Sequence, residues 1–420
     1  MKLTSILLII LSILILGCNS KTETKNQFSS ENDTLIITTE KVKGIGMFPA
    51  GAGQIHFETE NSFIDYPLVL PENISDIKIG LQLFDFKPWK YDRYKKGETD
   101  KKYVLKDISE GKIDTLISPS MKENSICILS GIKDGKKVFI LDENNNQNFK
   151  DDSVRLYKKM DWFTTDDLIK CKYNIYNGEK IIRDSTWVNI GMTHGDNLLF
   201  FVSHHLIANI KIDNNSYQIG LVDDQSNFWF EEPLVALLSE NETKKDTILK
   251  SDLLRLDEYI KLGDNYYAIN KIANDGSKLS LIKENHFNSK IGTQVGMIAP
   301  DFQVNTYNGD TLSSAVYKNE ILLLANISGC TGSSYNEYRD ILKAKNAKLN
   351  VVGINSGVTK DLGGIMVDVE NEFNKNFYID YRNAYSSYDC FLINRDGRII
   401  DKFDVFDWKK HLAEYIDKHE

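Results

Sequence analysis

The chain has 420 residues, 41% of them hydrophobic and 26% charged, and a formal net charge of −9. That length and apolar share predict roughly two to four domains with cores of their own. The acidic balance, spread without long runs, argues against a nucleic-acid partner, and twenty tyrosines and twenty phenylalanines against seven prolines point to sheet-rich packing.

Residues 1–18 read as a signal peptide. Lys2 supplies a positive start, residues 7–16 form an apolar run, and Ile15-Leu16-Gly17-Cys18 looks like a bacterial lipobox cleaved before Cys18. The run is short for a membrane span. Residues 19–33 are polar and nearly free of apolar side chains, the composition of a flexible linker. The expectation is a lipoprotein of the bacterial cell envelope, held on the membrane by acylated (palmitate-type) Cys18, facing the periplasm or the outside. Its partners are then the lipid bilayer and other envelope proteins.

With Cys18 acylated, Cys127, Cys171, Cys330 and Cys390 remain. An even number in an oxidising compartment permits disulfides, and Cys127–Cys171 is one such pairing. Cys127 lies in the apolar stretch Ile126-Cys127-Ile128-Leu129, which suits a buried thiol. Cys171, between Lys170 and Lys172, reads as more exposed.

Two β-rich domains are expected before the C-terminal part, at 34–148 and 149–290. In the first, strand patterns run at 35–37, 54–57, 77–86, 126–129 and 137–141. Residues 44–53 are glycine-rich but lack the Gly-Lys-Ser/Thr ending of a phosphate loop. They predict a loop with special backbone angles. Asp142, Asn144, Asn146 and Asn148 have the one-three-five-seven spacing of calcium ligands. Against that, Gln147 stands at the sixth place, Lys150 at the ninth and Ser153 at the twelfth, so an Asx-rich turn is the competing reading. Organic cofactors find no motif here.

In the second block, strands are expected at 187–190, 197–202, 208–212, 217–222, 266–269 and 279–282. Asn274-Asp275-Gly276 makes a hairpin between the last two. The acidic turn after 217–222 resembles that after 138–141, as an internal repeat or two hairpins of one type would. Helix is sparse: a short one at 166–173 and an ambiguous stretch at 232–240. His194, His204 and His205 gather only loosely, and adjacent His204 and His205 point to opposite faces if they share a strand.

The third expected domain, 291–420, carries the candidate chemistry. Ala299-Pro300-Asp301-Phe302 precedes a strand at 321–325 that runs almost directly into Gly329-Cys330-Thr331-Gly332-Ser333 and a helix from 333 to about 345. A cysteine between strand end and helix start is placed where unpaired N–H groups and the helix dipole lower its pKa. Phe391-Leu392-Ile393-Asn394 and Asp396-Gly397-Arg398-Ile399 supply a late hairpin. Trp408, Leu412, Tyr415 and Ile416 share a face of a last helix, with Asp407 as its N-cap.

Residues 292–420 resemble the thioredoxin-like lipoproteins of the thiol–disulfide oxidoreductase and peroxiredoxin superfamily. The resemblance implies an α/β domain in the order hairpin, strand, helix, strand, short crossover, strand, strand, helix, so the chain as a whole is multidomain, β-rich and then α/β. It also implies a Cys-x-x-Cys site, of which this chain keeps the first cysteine, Cys330, as candidate nucleophile. Ser333 holds the place of the resolving cysteine, making a Cys-x-x-Ser site. Tyr388 falls where the family has a cis-proline, and Cys390 is a candidate redox partner. Measured against peroxiredoxins of the bacterioferritin-comigratory type, Ile327 replaces a threonine and Tyr388 an arginine. Two functions stay open: thiol redox activity through Cys330 alone, or a non-catalytic binding or structural lipoprotein with an inactivated site.

Overall fold

The computed structural model describes residues 27–29, 34–58, 68–83, 85–118, 125–193, 195, 197–212, 214–223, 230, 233–239, 248, 252–327, 333–355, 362–381 and 389–415. The described strands form five sheets of four or five strands and one two-stranded hairpin.

Sheet one contains Phe57–Glu58, Ser75–Leu83, Ser125–Lys133, Lys136–Leu141 and Arg155–Leu156, all antiparallel. Sheet two pairs Ile169–Tyr176, Ile181–Met192, Leu198–Val202 and Gly53–Gln54. The two pack face to face: Ile126, Ile128, Phe139 and Leu141 of sheet one meet Tyr173, Val188, Ile190 and Phe200 of sheet two. Sheet three contains Leu234–Ser239, Asn215–Val222, His204–Ile212 and Glu40–Lys43. Sheet four contains Gln27–Ser29, Thr34–Thr38, Lys278–Glu284, Asn265–Ile272 and Tyr259–Leu262. Leu206, Ile210, Ile219 and Leu221 pack against Leu35, Ile37, Leu279 and Leu281 in a second sandwich. Each large aliphatic side chain so buried contributes about 1.5–3 kcal/mol.

The strand pairings cross the 148/149 division. Residues 34–38 pair with 278–282 in sheet four, 40–43 with 204–207 in sheet three, and 53–54 with 199–200 in sheet two. One short N-terminal stretch therefore stitches three sheets together. The glycine-rich loop between them has the expected special angles, with φ of +88° at Gly44 and +60° at Gly46. A Cβ on Gly46 would fall 2.7 Å from the His205 ring.

Several local expectations are corrected. The stretch predicted as helix at 166–173 is the strand Ile169–Tyr176, whose side chains alternate between buried and outward positions. Its period of two outweighs helix propensity because one face lies on sheet one. Cys171 therefore points inward and is 0% exposed, while Lys170 and Lys172 take the solvent face. Cys127 lies on the opposite face of sheet one from Ile126 and Ile128, packed with Ile74, Leu129 and Phe149. The body of sheet one separates the two thiols, so no disulfide joins them.

The ambiguous stretch 232–240 contains the strand Leu234–Ser239. Strand Ser75–Leu83 ends before Phe86, which opens a helix, Phe86–Lys95, followed by a second, Lys101–Ser109. Their signals are Asp85 and Asp100, whose carboxylates accept from the N–H groups of Lys87 and Lys102 as N-caps.

Sheet five has the order Ile365–Asp368, Leu349–Asn355, Ile321–Asn326, Asp389–Ile393, Ile399–Asp404. Its first three strands are parallel, and the last two join antiparallel. The hairpin Gln303–Asn305 with Thr311–Ser313 precedes it, and helix Ser333–Ala344 follows the central strand. This is the element order that the resemblance implies. The crossover is longer than expected, because it contains strand Ile365–Asp368 and helix Lys375–Asp380. Asp407 stands at the N-cap position of the last helix, which is the short turn Trp408–His411, but its side chain makes no capping hydrogen bond; Asp404 caps the preceding turn by accepting from Phe406 N–H at 3.0 Å.

Sheet five is tied to sheet four through residues 286–299. Arg398 donates to the carbonyls of Asn288 and Gly296, and Gln294 both donates to and accepts from the Tyr259 backbone. Phe287 stacks on Tyr266 with ring centres 3.6 Å apart. Among the described residues no helix is long and apolar enough to cross a membrane.

Candidate functional site

Strand Ile321–Asn326 runs through the middle of sheet five, and Leu322, Leu323, Leu324 and Ala325 are buried on both faces. Such a continuous apolar run is what a covered parallel strand requires. Ile327 continues it, its N–H bonded to Ile354 carbonyl at 2.8 Å. Helix Ser333–Ala344 is fixed beside it. Ser334 Oγ donates to the Ile327 carbonyl at 3.3 Å, Tyr338 hydroxyl to Ile365 carbonyl at 3.0 Å, and Trp408 Nε1 to Glu337 at 2.8 Å.

Ser333 is thus the first residue of the helix. Cys330, Tyr388 and His194 lie outside the described residues, as does Cys18. Cys390 sits opposite Ala325 in the central pairing. It joins the core beneath the helix with Tyr338, Ile341 and Trp408, while its neighbour Phe391 packs with Phe302, Phe377 and Tyr381 on the other face. Cys390 is 0% exposed. Burial, with Asp389 and Asp404 acting the same way, holds its thiol well above the usual cysteine value. A thiol so placed is a poor nucleophile and a poor leaving group.

Beside Cys390 lies an ionic group that the sequence reading missed. Lys402 Nζ is 3.4 Å from Glu258 Oε1 and 3.8 Å from Asp389 Oδ2, and the three side chains are 11%, 10% and 0% exposed. Lys402 also lies over the Phe391 ring. The residue that follows Tyr388 is therefore held by a cation that is shared with sheet four.

His204 and His205 face opposite ways, as expected for a strand. His204 Nδ1 lies 2.5 Å from Thr186 Oγ1 in sheet two, and His205 Nδ1 donates to Gly44 carbonyl at 2.6 Å.

The Asp142 loop closes on itself. Asp142 is 0% exposed, and its carboxylate accepts from the N–H groups of Asn146 at 3.0 Å and Gln147 at 2.8 Å. Asn146 Oδ1 accepts from Asn148 N–H, and Asn148 Oδ1 from Lys150 N–H. The amides of Asn144 and Asn146 both donate to Asp151 Oδ2, at 3.3 and 2.9 Å. Asp152 Oδ1 accepts from Glu143 N–H. Burial, with Asp142, Asp151 and Glu143 alongside, pushes the Asp152 carboxyl up to about 7. Asp151 and Asp152 were legible as an acidic pair at the tenth and eleventh places, one short of the twelfth place, where the usual pattern puts its acid.

No protein-family profile and no curated protein matches the chain. Among solved structures, the chain is similar over 30% of its length to the thioredoxin domain of a thiol-disulfide oxidoreductase from Bacteroides vulgatus, at 15% identity, covering 99% of that domain with a TM-score of 0.26. A thiol:disulfide interchange protein from Bacteroides sp. is similar over 29%, at 15% identity, with 90% of that chain covered and a TM-score of 0.25. The yeast mitochondrial 1-Cys peroxiredoxin is similar over 29%, at 12% identity, with 78% covered and a TM-score of 0.22. The module's own strand order and its helix after the central strand make it a thioredoxin-type fold.

Proposed function

We propose that this chain is a lipid-tethered envelope protein whose thioredoxin-type module is a non-catalytic packing and protein-binding unit. The supporting observation is the state of the thiol partners. A serine opens the helix where a resolving cysteine would stand, and Cys390 is shut in the core beneath it. Dithiol exchange needs a second thiol that can reach the mixed disulfide and release it; Ser333 has none to offer, and Cys390 would have to leave the sheet core. The β-rich sheets then supply the surfaces on which envelope partners bind.

Insulin reduction by the mature chain with a dithiol reductant is the direct test. Wild type and Cys330→Ser are expected to be indistinguishable from the uncatalysed rate. A wild-type turnover that disappears in Cys330→Ser would establish a monothiol redox protein and overturn this reading. The tether is tested separately. Cys18→Ala is expected to lose labelling by radioactive palmitate and to move from the membrane to the soluble fraction; unchanged membrane association would remove the lipid anchor from the proposal.

A further inference from the structure

We propose that the helical pair Phe86–Lys95 and Lys101–Ser109, with the turn that follows it, docks on the anionic headgroup surface of a lipid bilayer. The pair is an excursion that the sheet itself does not require. Leu83 and Ser125 lie opposite each other at the ends of two antiparallel strands of sheet one, and a turn of about two to five residues would join them. The chain instead runs out through residues 84–124. Each helix buries a single residue, Pro88 in the first and Val104 in the second, where a helix packed on a core buries a whole stripe.

The charge of the pair is the reverse of the rest of the chain. Residues 85–112 carry nine Lys and Arg against six Asp and Glu, a net of +3, in a chain of −9 whose remainder is therefore −12. The acids are engaged within the pair. Asp92 is held by Lys96, Glu98 by Arg93, Asp107 by Lys90 and Glu110 by Lys112, while Asp85 and Asp100 cap the two helices. Lys95, Lys101 and Lys102 are exposed and make no ion pair among the described residues.

Apolar side chains that face water stand among these cations. Phe86, Tyr103 and Leu105 are each at least half exposed, and Leu116, in the turn that Asp114 caps, is 84% exposed. Trp89 lies between Phe86 and Arg93, its ring centre 4.9 Å from the phenyl ring and 5.6 Å from the guanidinium carbon. At about 100° per residue, Val104 faces inward and Lys102, Tyr103, Leu105 and Lys106 spread over the outward side of the second helix. Aromatic and aliphatic groups interleaved with lysines suit the headgroup boundary: the apolar groups enter it, and the lysine stems lie along it with their charges at the phosphates. The choice of a bilayer over an acidic protein rests on the lipid tether proposed above; the charge reversal and the exposed side chains stand without it. A body tethered at Cys18 is already held near the surface, so weak docking suffices to orient it.

The test is co-sedimentation of the mature Cys18→Ala chain, which carries no lipid of its own, with vesicles of phosphatidylcholine containing about one-quarter phosphatidylglycerol, or of phosphatidylcholine alone. Binding to the anionic vesicles at about 50 mM salt is expected, at least about tenfold weaker at about 500 mM salt or on phosphatidylcholine. Lys95→Glu/Lys101→Glu/Lys102→Glu is expected to weaken it at least about tenfold, and Leu105→Ser/Leu116→Ser to weaken it as well, both with an unchanged Tm because these side chains are exposed. Absence of binding to the anionic vesicles overturns the proposal, as does binding that either variant leaves intact. Retention on immobilised polyglutamate without vesicle binding would assign the face to an acidic protein and overturn the bilayer as its partner. Palmitate labelling of the unsubstituted chain reports on the tether alone, so the two readings fail separately.

Discussion

Replacing Lys402 with methionine is expected to lower unfolding stability by about 3 kcal/mol. Methionine keeps the apolar stem that lies against Phe391 and removes the charge. Glu258 and Asp389 then face each other without the cation between them, in a place where both are at least nine-tenths buried. Removing one member of a buried ionic group costs about 3–5 kcal/mol because the remaining charge cannot regain its hydration. The distances of 3.4 and 3.8 Å are longer than ideal charge-assisted bonds, which places the effect at the lower end. A second change, Glu258→Gln, is expected to restore about half of the loss by removing one of the two carboxylates. Urea unfolding of the single and double variants measures both numbers. A loss below about 0.5 kcal/mol would show that the group is hydrated and does not hold sheet four to sheet five.

Acidification is expected to destabilise the β-rich part through His204 and His205. Burial lowers the pKa of both; Lys41 and His205 add to the effect on His204, and the bond to Gly44 carbonyl partly offsets it on His205. Around His204 stand Thr186, the Phe230 ring, and Lys41, which is itself paired with Asp184; around His205 stand Gly44 and the Phe48 ring. In the unfolded chain these imidazoles take up protons near pH 6.5. In the folded chain they resist until a lower pH. Their contribution is therefore complete above about 6.5 and is lost as the pH falls from there through the folded values, at up to about 1.4 kcal/mol per pH unit for each histidine. Asp152, held up to about 7, works in the opposite direction over the same range. Comparing wild type with His204→Gln cancels that contribution. The difference in urea midpoints between them should shrink as the pH goes from 7 to 5. A difference that stays constant would mean that His204 is protonated, or accessible to water, in the fold.

What could be read along the chain is what depends on near neighbours. The apolar run 321–325, the helix from 333, and the Asn274-Asp275-Gly276 turn were all legible, because side-chain period and turn chemistry act over a few residues. So was the opposite facing of Cys390 and Phe391, which follows from the two-residue period of any strand. The helices Phe86–Lys95 and Lys101–Ser109 were not, although Asp85 and Asp100 cap them, because aromatic residues and lysines there mask the helical period.

Tertiary structure alone decided the rest. Thr34–Thr38 finds its partner in Lys278–Glu284, some 240 residues on, and no local pattern encodes a pairing at that separation. Cys171 is flanked by two lysines, yet it is buried because its strand lays that face on sheet one. In sequence Lys150 is a cation inside the Asp142 loop, and only the path of the folded backbone turns it out toward Glu72. Lys402, Glu258 and Asp389 are unremarkable charges in sequence. They become one buried group because sheets four and five bring them together where water cannot screen them. Local chemistry specifies the elements; which charges and thiols are shielded is set by the packing of one sheet on another.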